Sequence, residues 1–207
     1  MKGWIQEFTE QVSQTGIIQW LAVVFGVTEV LLAKINSIWL YPAGIVATLI
    51  SVFLLANVQL YAESVLNLYY LVMSIYGWYY WLHKKDAVPV GITKTTKKEW
   101  FITALISLGG WMVFYVLLKK FTPSDVPVWD ALITSTAWAG MWLLAKRKLE
   151  NWILLNISNA FAIPLLFHKH LAMFSVLTCI LFVVAIFGYI EWRNIYRKKQ
   201  SAPLVYE

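Results

Sequence analysis

The chain has 207 residues, of which 60% are hydrophobic and 14% charged, with a mean hydropathy of +0.64 and a net charge of +6. A soluble domain is roughly 45–50% apolar and about 25% charged, so this composition excludes a disordered chain, a basic nucleic-acid-binding domain and an ordinary cytosolic enzyme. A bilayer-spanning helix takes about 20 apolar residues, and about seven such helices with short loops fill this length.

The first 14 residues are polar, carry Glu7 and Glu10, and lack the basic-then-apolar order of a cleaved leader. Seven apolar segments follow, at 15–34, 37–57, 60–82, 99–118, 128–145, 150–167 and 170–192. Their apolar runs are continuous rather than alternating, which argues against a β-barrel. An open sheet would leave backbone groups unpaired in lipid. The expected fold is an all-α integral membrane protein with seven transmembrane helices. Its linkers are short and polar, the longest running from His83 to Lys98. The single Cys179 lies in the last apolar segment, so no intrachain disulfide is possible.

An odd number of spans puts the termini on opposite sides. The N-terminal side then carries four basic residues, Lys2, Lys119, Lys120 and Lys169, and the other side carries thirteen. The positive-inside rule therefore predicts a multi-pass membrane protein with the N-terminus outside and the C-terminus in the cytoplasm. The +6 charge is assigned to orientation and lipid headgroups, with no nucleic-acid partner.

The two halves resemble each other. Leu31-Leu32-Ala33-Lys34 recurs as Leu143-Leu144-Ala145-Lys146. Ile75-Tyr76-Gly77-Trp78-Tyr79-Tyr80-Trp81 parallels Ile186-Phe187-Gly188-Tyr189-Ile190-Glu191-Trp192 at nearly the same offset. Segments one to three and five to seven thus read as parallel three-helix repeats, with the fourth as connector, a 3+1+3 order. The domain reading is an extracytoplasmic segment 1–14, a first repeat 15–82, a connecting region 83–127, a second repeat 128–192 and a basic cytoplasmic tail 193–207. Transporters built from repeats bind substrate near mid-membrane, where the repeats meet.

Polar groups at membrane depth are expensive and mark function. In the third segment Gln59, Glu63, Asn67, Tyr70 and Ser74 are spaced 4, 4, 3 and 4, which places them on one helical face. In the fifth, Asp130, Thr134, Trp138 and Trp142 recur at every fourth position. In the sixth, Asn156 and Asn159 sit near the midpoint, with Trp152 and Ser158 nearby. Interhelical hydrogen bonding and an interfacial aromatic belt are the bland alternatives. A continuous polar stripe exceeds what one helix contact requires, and Trp138 lies too deep for a belt. The predicted substrate site therefore comprises Glu63, Asn67, Tyr70, Ser74, Thr134, Trp138, Trp142, Asn156 and Asn159. Flat indole walls favour a cationic ring, and amides and hydroxyls suit a hydroxylated arm. Every Lys and Arg falls at a loop or helix end, which argues against a phosphorylated substrate.

Enzymatic chemistry has no support. His83, His168 and His170 lie near segment ends, and neither His-Glu-x-x-His nor Gly-x-Ser-x-Gly occurs. No catalytic residue, metal or cofactor is assigned. Glu29 and Glu63 lie within or near the membrane and are able to carry protons, although Glu29 could instead pair with a basic residue near the cytoplasmic interface. A membrane receptor or binding subunit using the same pocket without transport is the rival class.

With these residues in hand, the chain resembles the PnuC family of bacterial vitamin transporters over essentially its whole length. The resemblance is carried by Trp138-x-x-x-Trp142, the paired Asn156 and Asn159, and the Glu63/Asn67/Tyr70 stripe. It implies a fold similar to the SWEET sugar transporters and a homotrimer with one path per protomer. It implies uptake of nicotinamide riboside by facilitated diffusion, trapped by a cytosolic kinase. Relatives that carry thiamine leave that cation as the alternative substrate, with riboflavin third.

Overall fold

The computed structural model describes residues 3–57, 61–83, 91–122 and 126–201, with the side chains of residues 61–66 and 173 outside the description. The regular structure there is helical: α1 (Trp4–Gln14), α2 (Ile17–Lys34), α3 (Leu40–Asn57), α4 (Tyr61–Leu82), α5 (Lys97–Ala104), α6 (Gly110–Phe121), α7 (Pro127–Ala145), α8 (Asn151–His168) and α9 (Ala172–Ser201). A π-helical turn at Leu105–Gly109 joins α5 to α6, so that Lys97–Phe121 runs continuously as one helix. Among the described residues, four helices are long and apolar enough to cross a membrane: Ile17–Lys34, Leu40–Asn57, Lys97–Phe121 and, within α9, Phe174–Ser201. The chain is an all-α membrane protein.

Two ends differ from the sequence reading. The polar N-terminal segment is helical, because Trp4 and Phe8 lie one turn apart, and Trp4 also packs on Phe167 at 5.5 Å. The last helix continues through Ser201, well past residue 192. Arg193, Arg197, Lys198 and Lys199 are good helix formers, and cations suit a helix C-terminus.

The helices neighbour one another in a closed circuit. α2 packs on α3, α3 on α4, α4 on α7, α7 on α8, α8 on α9, and α9 back on α2. α5, the π-turn and α6 all lean on α7, and α1 packs on α9. The packing is inside out relative to a soluble domain. Small residues are buried at the helix contacts, among them Ala43, Gly44, Ala47, Ala131, Ser135, Ala139 and Gly140. Large apolar side chains point outward; Phe101 is 72% exposed and Met112 68%, as lipid-facing residues are. Gly110, just after the π-turn, lets the connector approach α7, since a Cβ there would stand 3.3 Å from Cβ of Ser135.

The basic end is locked by a near-symmetric clasp. α2 and α7 finish there in Schellman motifs, seen in the Ser37 N–H to Leu32 carbonyl and Lys148 N–H to Leu143 carbonyl bonds, both 2.9 Å, and α8 finishes in a third at the opposite end. The left-handed position, usually glycine, is taken by Asn36 (φ 58°), Arg147 (φ 55°) and His170 (φ 54°). Asn36 and Arg147 occupy equivalent places in the two halves, and they meet: Arg147 Nε donates to Asn36 Oδ1 at 2.9 Å. The guanidinium also lies 4.0 Å over the Trp81 ring. Beside them, Trp81 Nε1 donates to the Ala145 carbonyl at 3.2 Å, and Trp192 Nε1 donates to the Ala33 carbonyl at 2.8 Å. Each bond crosses from one half to the other. The stretch before α5 is pinned to the same end, because Lys148 Nζ pairs with Glu99 at 2.9 Å and Glu150 accepts from Thr95 N and Oγ1 at 2.9 and 2.7 Å. At the opposite end Lys169 pairs with Asp130 at 2.8 Å, and Gln11 of α1 donates to the His170 carbonyl at 2.6 Å.

Candidate functional site

The seam between α4 and α7 is aromatic. Tyr69 stacks flat on Trp138, with centroids 3.9 Å apart and planes at 11°, and its hydroxyl donates to the Trp138 carbonyl at 3.0 Å. Phe114 of the connector meets Trp138 at 4.5 Å and 83°. Tyr70 stands edge-on to Tyr69 at 6.1 Å. Trp138 of α7 is therefore held by α4 and α6, yet its indole Nε1 is buried without a hydrogen-bond partner. An orphan donor at such depth is costly and marks a place where something polar is expected. Trp142 is half-buried one turn toward the basic end, and among the described residues no ring stacks on it.

The sixth predicted segment, now α8, divides its polar groups between two sides. Ser158 is buried and its hydroxyl donates to the Ile133 carbonyl of α7 at 2.9 Å, so this serine ties α8 to α7. Asn156 lies about 200° around the helix from Ser158, and its Oδ1 is buried without a partner. Asn159 is half-buried one turn on. Asn156 borders an open groove of about 370 Å³ between α8 and α9, together with Trp152, Phe182 and Tyr189. That groove contains none of Trp138, Trp142, Tyr70 or Asn159 and is an apolar seam between two helices, so it is not the predicted site.

Of the remaining predicted residues, Asn67 and Thr134 are half-buried on α4 and α7. Ser74 is 1% exposed and its Oγ has no hydrogen-bond partner. The Glu63 side chain lies outside the described residues. The structure thus joins the α4 stripe to Trp138 through Tyr69, and keeps Asn156 turned toward α9. Sequence reasoning missed Tyr69. Its signal was the doublet Tyr69-Tyr70, where only the second tyrosine falls on the polar stripe. It also missed the Asn36–Arg147 clasp: Asn36 is a residue type that suits a left-handed helix end, but Arg147 is not, and nothing local says that the two meet. Positive charge is confined to the ends: among the described residues no Lys or Arg is central in a helix of the circuit. Arg147 sits in the turn after α7, where burial holds it below the usual guanidinium value.

The circuit of lipid-exposed helices, read with the family that its sequence matches, makes this chain a multi-pass membrane transporter. The chain belongs to the Nicotinamide mononucleotide transporter family, whose model matches residues 16–194. It is 22% identical over 213 residues to the Nicotinamide riboside transporter PnuC of Escherichia coli (strain K12), covering 90% of this chain and 89% of that protein. The same protein from Shigella flexneri matches at 22% identity over the same length. Among solved structures, the fold is similar to the crystal structure of the Vitamin B3 transporter PnuC, with a TM-score of 0.69, 19% identity, and 94% of this chain and 90% of that one covered.

Proposed function

We propose that this transporter takes up nicotinamide riboside across the bacterial cytoplasmic membrane by facilitated diffusion. The observation that carries the reading is Trp138: a rigid indole at the junction of the two halves, its ring stacked and its N–H unpaired. Such a group stacks on a pyridinium and donates to a carboxamide or hydroxyl. The family description names a mononucleotide, whereas the relatives from Escherichia coli and Shigella flexneri are named for the riboside. Chemistry favours the riboside. A phosphate needs Arg or Lys donors within the path, and the described ones stand at the helix ends.

In this reading Trp138 and Trp142 face the ring, while Asn67, Tyr70, Ser74, Thr134 and Asn159 serve the carboxamide and ribose; Asn156, turned toward α9, drops out of the contact set, and Glu63 lies nearer the outer end of α4 by its place in the sequence. α4, α7 and α8 cross the bilayer beside the four longer or more apolar helices, giving seven spans in a 3+1+3 order. The basic end faces the cytoplasm, because it gathers Lys34, Lys94, Lys146, Arg147 and Lys148. The working unit is a homotrimer, and a cytosolic kinase traps the product by adding a phosphate that the path does not accept.

The test is flux into sealed vesicles containing the purified chain. Labelled nicotinamide riboside should equilibrate without a gradient of protons or sodium, and the mononucleotide should not enter. Entry of thiamine with exclusion of the riboside would keep the fold and reassign the substrate. Tight binding without flux would make the protein a receptor.

A further inference from the structure

α2 carries a carboxylate that the site above does not use. Glu29 lies against α3, with its carboxyl atoms 2.5–2.9 Å from where a Cβ on Gly44 would stand. The Tyr41 and Tyr70 hydroxyls are within electrostatic reach. Among the described residues Glu29 has neither an ion pair nor a hydrogen bond, so the pairing with a basic residue considered from the sequence is not seen. Its surroundings are equally unsatisfied. Tyr41, 1% exposed, has a buried hydroxyl without a partner and lies on Gly77 of α4; Ser74, one turn before Gly77, has another. These groups stand between the Trp138 seam and the Arg147 clasp, in the half of the path toward the basic end.

Packing does not explain a carboxylate here. The offset that relates Asn36 to Arg147 also relates Glu29 to Gly140 and Gly44 to Leu155. The second half closes this same contact with Leu155 against Gly140, where a Cβ on Gly140 would stand 2.9 Å from that side chain. The large and small partners have changed helices, and the large one is apolar. One half therefore fills this place with a leucine and the other with an acid. A carboxylate in the membrane interior without Lys or Arg must be neutralised by a proton or satisfied by a visiting cation.

Resting on the riboside reading above, we propose that Glu29, with Tyr41, Tyr70 and Ser74, forms an inward subsite that recognises the positive charge of an organic heteroaromatic cation and hands it to the cytoplasm. The orphan Tyr41 and Ser74 hydroxyls are suited to the polar arm of such a ligand, and the carboxylate to its ring charge.

The test compares nicotinamide riboside with its neutral benzamide C-riboside isostere, by titration and vesicle uptake, in the full chain and in Glu29→Gln. The unaltered protein should prefer the cation, and Glu29→Gln should lose about tenfold or more in affinity for it, the scale of a hydrogen bond to a charged group, while the neutral isostere changes little. Gly44→Ala, which displaces the Glu29 carboxyl without removing it, should lower the same cation-to-neutral ratio and guards against a folding defect in the first variant. A ratio that survives in both variants overturns the subsite. So does a Glu29→Gln protein that keeps the ratio but loses proton movement coupled to uptake, which would make Glu29 a proton carrier. An unaltered protein that responds to neither ligand overturns the riboside reading, and the subsite with it.

Discussion

Trp138 is pinned on one face by Tyr69 and approached by Phe114, so its plane is fixed before any ligand arrives. Trp138→Ala should weaken riboside binding by about 1–3 kcal/mol, the scale of stacking a base on an aromatic ring. A titration of the folded variant checks this, and an unchanged Kd would remove the indole from the site. Tyr69→Phe keeps the stack and deletes only the bond to the Trp138 carbonyl. It should cost about 1 kcal/mol or less in stability and leave the ligand stack intact, read by a melting curve beside the same titration. The periodicity of α4 exposed Asn67, Tyr70 and Ser74 in the sequence, because i, i+3 and i+4 positions share a face whatever the tertiary fold. Tyr69 escaped because it faces a partner helix, and no local rule says which helix that is. The same limit explains Asn156: its depth was legible, but its turn toward α9 depends on how α8 is rotated against its neighbours.

At the scale of helices, two glycines at equivalent places in the halves do the same work. Gly77 receives the Tyr41 ring and Gly188 the Trp152 ring, with a hypothetical Cβ at 2.5 Å from the first and 2.7 Å from the second. Gly188→Ala should cost about 1–3 kcal/mol as an overpacked contact, because Trp152 is fully buried and cannot retreat. The expected readout is a lower melting temperature in detergent with unchanged helix content. Element positions were readable from hydropathy, and most segments match within a few residues. The exceptions are instructive. α1 is amphipathic rather than apolar all round, so a search for apolar runs passes over it. α9 outlasts its apolar stretch because polar residues continue a helix once it has begun. The π-turn at Leu105–Gly109 has no sequence signal beyond Gly109-Gly110, and it stands beside the close approach of Gly110 to Ser135 of α7.

For the whole molecule, the clasp joins the halves at one end only. Rocking of one repeat against the other, if it opens the path to the cytoplasm, must break Asn36–Arg147 and the two tryptophan bonds. A double-mutant cycle with Asn36→Ala and Arg147→Ala should give a coupling of about 1–2 kcal/mol in stability. Arg147→Gly is the sharper probe. It relieves a left-handed arginine worth about 1 kcal/mol or more, so a net loss of stability would measure the side chain's bridge to Asn36 and Trp81. Orientation is testable separately. With Cys179 replaced by Ser, a cysteine introduced in α1 should react with an impermeant reagent on intact cells, and one near Ser201 should not.

The exchanged tryptophan bonds have a bearing on how the chain is made. Ala33 leaves the ribosome early, and Trp192, which donates to its carbonyl, emerges long afterwards. Trp81 likewise waits for Ala145 to be synthesised. Neither half can complete its basic end alone, however well its three helices insert. The two halves produced as separate polypeptides in one cell should therefore find each other in the bilayer, while either half on its own should be a substrate for membrane quality control.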